Sequence, residues 1–185
     1  MKLASILENL DKEKRIALTP EIAKKYISLG FNISLPNNYG SHLGYSNNDY
    51  ENLGVNFLDN EDEIINNSDI ILQLGLLDDN KLSLLKANQT LIGSLNTFLN
   101  KNKLEKLKLK KVNCFSLELL PRITRAQSMD ILSSQANLAG YKAVIEAFQV
   151  YERAIPMMMT AAGTIPAAKV LVVGAGVAGL QAIAT

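Results

Sequence analysis

The chain has 185 residues, with 19 basic and 18 acidic side chains and a formal charge of +1, so electrostatics give no reason to expect a nucleic-acid partner. Hydrophobic residues make up 48% and charged residues 20%, the balance of a globular chain with a sizeable core. The one cysteine, Cys114, excludes an intramolecular disulfide and points to a reducing compartment.

The N-terminal segment Met1–Glu8 lacks a long apolar core and a small-residue cleavage site, so it is not read as a signal peptide. Thr19-Pro-Glu21 predicts a helix start: Thr caps, Pro suits the first position, and Glu meets the positive end of the dipole. Ile22, Ala23, Tyr26 and Ile27 recur at helical spacing up to a stop at Gly30. Phe31, Ile33 and Leu35 alternate as a strand, followed by a Gly/Asn/Ser-rich loop, 36–46. A short helix is predicted near Asp49–Leu53, ending at Gly54, then a strand at Val55–Leu58. The alternation continues with helix 61–67, strand 69–74, helix 78–87, strand 90–95, helix 101–110 and strand 112–115. Strands separated by helices predict parallel pairing through right-handed crossovers.

After Pro121 the pattern changes. A helix from about Asp130 to Arg153 is expected to run about 36 Å at ~1.5 Å per residue. Its stripe of small residues (Ala136, Ala139, Ala143, Ala147) sits among bulky apolar ones, the pattern of a helix packed between two domains. A loop, 155–166, precedes an apolar strand, Lys169-Val-Leu-Val-Val173. The apolar segment from Val170 holds sixteen residues, against about 20 for a membrane-spanning helix, so no span is expected.

Two places carry candidate chemistry. The first is Val170-Leu-Val-Val-Gly174-Ala175-Gly176-Val177-Ala-Gly179, a dinucleotide-type turn between an apolar strand and a helix start. There the first Gly allows the turn, the second admits a pyrophosphate, and the third lets helix and strand pack closely. The amides of the following helix would point at the phosphates. The second is the loop Glu118-Leu-Leu-Pro-Arg122-Ile-Thr-Arg125-Ala-Gln127-Ser128-Met129-Asp130-Ile-Leu-Ser133, rich in groups able to hold a ligand. Read from the residues alone, this loop is equally a helix-capping segment, with Ser128 or Asp130 as the cap.

Elsewhere the structural readings prevail. Cys114, in a short apolar strand, is expected to be a buried structural thiol. His42 is expected at the surface, and Met157–Met159 as gap-filling side chains. The lysines of 101–111 read as a solvated helix face. No His/Cys/carboxylate cluster has metal-ligand spacing.

The stretches Glu118–Asp130, Ser133-Ser-Gln-Ala-Asn-Leu-Ala-Gly-Tyr141, Thr160-Ala-Ala-Gly-Thr164 and Val173–Thr185 closely resemble the NAD(H)-binding part of the alpha subunit of proton-translocating NAD(P) transhydrogenases. Lys14-Arg-Ile-Ala-Leu-Thr-Pro-Glu21 resembles the opening signature shared with alanine dehydrogenases. The resemblance implies hydride exchange between NADH and NADP+ coupled to proton movement through a membrane partner. It also implies a dimeric NAD(H)-binding component on the cytoplasmic face, peripheral to the membrane, with NADP(H) bound by a partner subunit. It assigns Arg122, Gln127 and Asp130, with Ser128, Met129 and Ser133 nearby, to the nicotinamide end, and Gly174, Ala175, Gly176, Val177 and Gly179 to the cofactor turn. Such residues orient rather than react.

Two departures stand out. Alanine dehydrogenases place a Lys and a His on neighbouring strands; here those strands carry Gln73 and lead to Asn96, which argues against the alternative of an amino-acid dehydrogenase. The family's NAD-binding component is also about twice as long, so the chain is expected to be truncated and inactive alone, a further alternative being a subunit that only dimerises or docks. The expected fold is α/β: a Rossmann-like parallel-sheet domain (1–125), a linking helix (126–155) and the first strand and turn of a second Rossmann dinucleotide-binding domain (156–185).

Overall fold

The computed structural model describes all of residues 1–185, and the chain divides into two compact units, Met1–Leu120 and Pro121–Thr185. The first is a six-stranded, all-parallel sheet. In chain order its elements are β1 (Lys2–Ala4), α1 (Pro20–Ser28), β2 (Asn32–Pro36), α2 (Asn47–Glu51), β3 (Asn56–Leu58), α3 (Glu61–Asn67), β4 (Ile70–Leu72), α4 (Asp79–Leu84), β5 (Thr90–Gly93), α5 (Lys101–Leu109) and β6 (Asn113–Ser116). The strand order is β3-β2-β1-β4-β5-β6, the doubly wound arrangement of Rossmann-like folds.

Local chemistry sets the helix starts. Thr19 caps α1 through its hydroxyl, which accepts from Ile22 N at 3.4 Å, and Pro20 occupies the first position. Ser46 and Asp49 form a reciprocal capping box on α2. Asn60 caps α3, whose first turn carries Glu61, Asp62 and Glu63, and Asp78 caps α4. Gly30 ends the first helix at φ +86°, in the left-handed region where glycine is favoured.

Successive strand residues point to opposite faces, so Leu3 and Ala4 belong to separate cores. Leu3 packs with Leu18, Ala23, Ile33, Leu35, Tyr39, Tyr50 and Val55. Ala4 packs with Ile6, Ile64, Ile65, Ile71, Leu82, Leu91 and Leu107. A sheet buried on both faces is the setting parallel strands require.

Every predicted helix and strand of the first unit is present with boundaries shifted by a few residues, but the central strand, β1, was not foreseen. Cys114 is a correction: it is exposed, not buried, because β6 is the last strand of the sheet. Partial desolvation of the sulfur still pushes its thiol pKa up, which disfavours a nucleophilic role. His42 is exposed, as expected, and its Nε2 lies 2.6 Å from Lys14 O.

The second unit contains α6 (Ile131–Val150), a hairpin of antiparallel strands β7 (Met158–Thr160) and β8 (Gly163–Ile165), and α7 (Val177–Ala184). The hairpin lies where the sequence predicted a loop. The apolar segment 170–173 is not a strand, correcting that expectation: no strand lies beside it to share a ladder, and Val170, Leu171 and Val173 are exposed. No helix is long and apolar enough to cross a membrane.

Candidate functional site

The glycine turn folds as its residue types require. Gly174 adopts φ +101°, a left-handed conformation strained for any residue with a Cβ. A Cβ on Gly179 would overlap the carbonyl oxygen of Gly174, so the first turn of α7 seats directly on the loop that precedes it. Gly176 is the N-cap of α7 and provides no side-chain acceptor, leaving the first-turn amides facing outward at the positive end of the helix. This is the arrangement of an anion-binding helix start.

The N-terminus of α6 is built differently. Asp130 caps it, accepting the Ser133 N–H at 2.9 Å and the Ser133 hydroxyl at 2.6 Å. The Ser133 hydroxyl and amide, and then the nearby Arg122 charge, hold the Asp130 carboxyl below the usual aspartate range. Of the two readings of the loop, the geometry shows the capping one, with Asp130 as the cap.

These helix starts share a cavity of about 390 Å³. Arg122, Leu132, Ser133 and Ala136 line one side, and the backbone of Val173, Gly174 and Gly176–Gly179 lines the other. The approach is possible because Gly140 of α6 lies against the backbone of Ala178: a Cβ on Gly140 would overlap the Ala178 carbonyl.

Of the residues singled out in the sequence, Arg122, Ser133, Gly174, Gly176, Val177 and Gly179 come together on this cavity. Gln127, Ser128 and Met129 lie in a 3₁₀ stretch, 124–129, outside its lining, as does Ala175; Asp130 acts on it through Ser133. Leu132, Ala136, Ala178 and Gly140 were missed. For Ala136 and Gly140 the small-residue pattern on α6 was the only signal, and it does not say which element would press on it; Leu132 and Ala178 carried none.

A second crevice, of about 620 Å³, opens in the first unit where β1 and β4 leave the sheet, the point at which strand order reverses. Three backbone donors beside it, Leu7 N, Leu74 N and Gly75 N, are already taken by the protein's own carboxylates. Glu8 accepts from Leu74 N at 2.7 Å and Gly75 N at 3.3 Å, while Glu61 accepts from Leu7 N at 2.9 Å and pairs with Lys81 at 2.5 Å. Burial pushes the Glu8 pKa up against these hydrogen bonds. Behind them, buried Gln73 accepts from Ser5 Oγ and Ile6 N, both at 3.3 Å, and donates to Ile6 O at 3.2 Å. Tyr39 extends the network, donating to Ser5 Oγ at 2.9 Å and accepting from Ala17 N and Leu18 N.

The family description "Alanine dehydrogenase/PNT, N-terminal domain" matches residues 6–139, and "Alanine dehydrogenase/PNT, C-terminal domain" matches residues 143–185. The chain belongs to the alanine dehydrogenase/PNT family. Within that family it is 42% identical over 189 residues to the first part of the NAD(P) transhydrogenase alpha subunit of Rickettsia prowazekii (strain Madrid E), a match covering 100% of this chain and 49% of the relative. It spans about half the length of the curated relatives it matches first. The solved transhydrogenase structure from Sinorhizobium meliloti superposes with a TM-score of 0.89 at 42% identity, covering 98% of this chain and 55% of that one. Alanine dehydrogenase 1 of Staphylococcus aureus (strain Mu50 / ATCC 700699) is more distant, 26% identical over 78% of this chain and 38% of the relative. In this alanine dehydrogenase/PNT chain the amide of Gln73 is committed to β1, and Asn96 sits in the left-handed region at φ +49° with its carbonyl accepting from Leu99 N and Asn100 N.

Proposed function

We propose that this chain is the NAD(H)-binding front part of a proton-translocating NAD(P) transhydrogenase alpha subunit. The observation that carries the reading is the cavity joining Arg122 and Ser133 to the uncapped glycine turn, within a chain 42% identical to a transhydrogenase subunit. The chemistry of the cavity lining suits a dinucleotide: glycine backbone and free amides suit a pyrophosphate, while a guanidinium and a fixed hydroxyl suit the amide and ribose of a nicotinamide.

When bound, NADH would supply a hydride for direct transfer to NADP+ held by a partner subunit. The first-turn amides of α7 hold the phosphates. Arg122 and Ser133 would orient the nicotinamide end, with Asp130 fixing the Ser133 hydroxyl; Gln127, outside the cavity lining, is assigned there by the family resemblance alone. No side chain exchanges a proton in the hydride step, so orientation is the protein's contribution.

The partners we propose are a second copy of this chain, the NADP(H)-binding subunit, and the membrane-embedded subunit that conducts protons, placing the assembly on the cytoplasmic face. The exposed apolar side chains Leu138, Tyr141 and Ile145 on α6 support the homodimer. The committed Gln73 amide weighs against amino-acid dehydrogenation.

Calorimetric titration of NADH into the full-length protein carrying this sequence tests the reading. We expect saturable binding, weakened about ten-fold by Arg122→Ala. With the partner subunits added, NADH should reduce an NADP+ analogue. Absence of NADH binding, or hydride transfer unaffected by both Gln127→Asn and Asp130→Asn, would overturn the assigned roles.

A further inference from the structure

We propose that Asn137 and Gln181 form a positioning pair that sets the separation between Ser133 and Val177 across the cavity. The inference rests on the dinucleotide reading above and goes further by naming what holds the two halves of the site in register.

The contact between α6 and α7 at Gly140 and Ala178 is backbone on backbone. It limits how closely the helices approach, but a backbone contact by itself is not directional and does not set their rotation or slide. Three residues before Gly140 on α6, Asn137 Nδ2 donates to Gln181 Oε1 at 2.9 Å, and Gln181 lies three residues after Ala178 on α7. The Gln181 amide is held in the accepting orientation. Its Nε2 donates to Thr185 Oγ1 at 3.2 Å, and that hydroxyl is turned away because it donates to Gln181 O at 2.8 Å.

The placement of this bond gives it leverage. Ser133 is four residues before Asn137 and Val177 four before Gln181, so each cavity-lining residue sits one turn above its member of the pair on the same helix face. The Gly140–Ala178 contact and the Asn137–Gln181 bond run in opposite sense along the two helices, so together they give two points of contact that fix how α6 crosses α7, and with it the gap between the capped start of α6 and the uncapped start of α7. A dinucleotide touching both starts binds best when that gap is preset, because otherwise part of its binding free energy is spent selecting the competent spacing. Once bound, the ligand bridges both helix starts itself. Loss of the pair is therefore expected in affinity and KM rather than in turnover at saturation.

The test is a double-mutant cycle in the full-length protein, read by NADH calorimetry and by steady-state hydride transfer with the partner subunits present. Asn137→Ala and Gln181→Ala are each expected to raise the NADH Kd and KM about five-fold with kcat unchanged within about two-fold. The double variant should match either single variant within about two-fold, because both remove the same bond. Reversing the pair, Asn137→Gln with Gln181→Asn, should restore affinity to within about two-fold of the starting protein, which a merely structural loss would not show. Single variants with unchanged affinity, losses that multiply in the double variant, or a reversed pair as weak as the double variant would each overturn the proposal. A starting protein that binds no NADH overturns the dinucleotide reading itself, and the positioning role with it; binding that ignores the pair overturns the pair alone.

Discussion

Asp130 grips Ser133 twice, taking its amide at 2.9 Å and its hydroxyl at 2.6 Å, so that one carboxylate both starts α6 and aims a cavity-lining hydroxyl. Asp130→Ala is expected to lower Tm by roughly 2–5 °C through loss of the cap and to weaken NADH binding through the freed Ser133 hydroxyl. Asp130→Asn, which retains an acceptor oxygen, should lose less Tm. The cap is also pH-dependent. Because its folded pKa lies below the ordinary 3.8, its stabilisation is fully present above pH 3.8 and lost as the pH falls through the lower folded value. The Tm difference between the starting protein and Asp130→Asn should therefore shrink below pH 3.8 and stay flat above it; a difference that persists in acid would contradict the assignment.

Gly140 has no room for a methyl group. Alanine favours helices over glycine by about 1 kcal/mol, so an open site would gain stability on Gly140→Ala. Here the added carbon meets the Ala178 backbone, which cannot rotate away. A net destabilisation of about 1–3 kcal/mol is expected, with weaker NADH binding as α7 is displaced. Urea unfolding decides the matter, and a stabilised variant would show that the close approach is not maintained in solution.

Gln73 is the buried bridge between β1 and β4. Gln73→Leu keeps approximate volume but strands the Ser5 hydroxyl and both backbone groups of Ile6. The expected cost is about 2–4 kcal/mol in equilibrium unfolding. A cost below about 0.5 kcal/mol would mean that water replaces the amide and that the crevice is open.

Glu8 predicts the opposite pH dependence from Asp130. Burial raises its pKa above 4.5, so the contribution of this group is fully present below pH 4.5 and lost as the pH rises through the raised value. Glu8→Gln removes that titration. The Tm of the starting protein relative to Glu8→Gln should fall from pH 4.5 upward, and a constant difference across that window would sink the assignment.

Much of the first unit was legible because its helices announce themselves at their ends. Thr19-Pro20, Ser46 with Asp49, Asn60 and Asp78 all cap where residue chemistry says they can. β1 was not legible: three residues, Lys2–Ala4, show no periodicity, and their strand character comes from β2 and β4 on either side. The misjudged burial of Cys114 has the same origin, since an edge strand and a central strand look alike until strand order is known. The hairpin β7–β8 lay hidden in a segment without alternating polarity, and its turn glycine, Gly163 at φ +133°, was the available hint. At the candidate site the Arg122 and glycine-turn residues stood out by type. The contacts of Gly140 and Asn137 with α7 did not, because they belong to the meeting of two helices rather than to either one.

The position of β1 at the centre of the sheet has a consequence for how the chain assembles during synthesis. The strand made first can pair with β2, and β2 with β3, once about sixty residues have emerged, leaving the other edge of β1 bare until β4 arrives. The strand order thus allows a three-stranded half-sheet, β3-β2-β1, to form before its complement, with β4, β5 and β6 added outward from it. The polar bridge from Gln73 to Ser5 and Ile6 closes only at that docking step. A pause with residues up to between 60 and 75 emerged from the ribosome would hold the chain with its central strand half-covered, the moment at which an unpaired edge is most open to a chaperone or to aggregation.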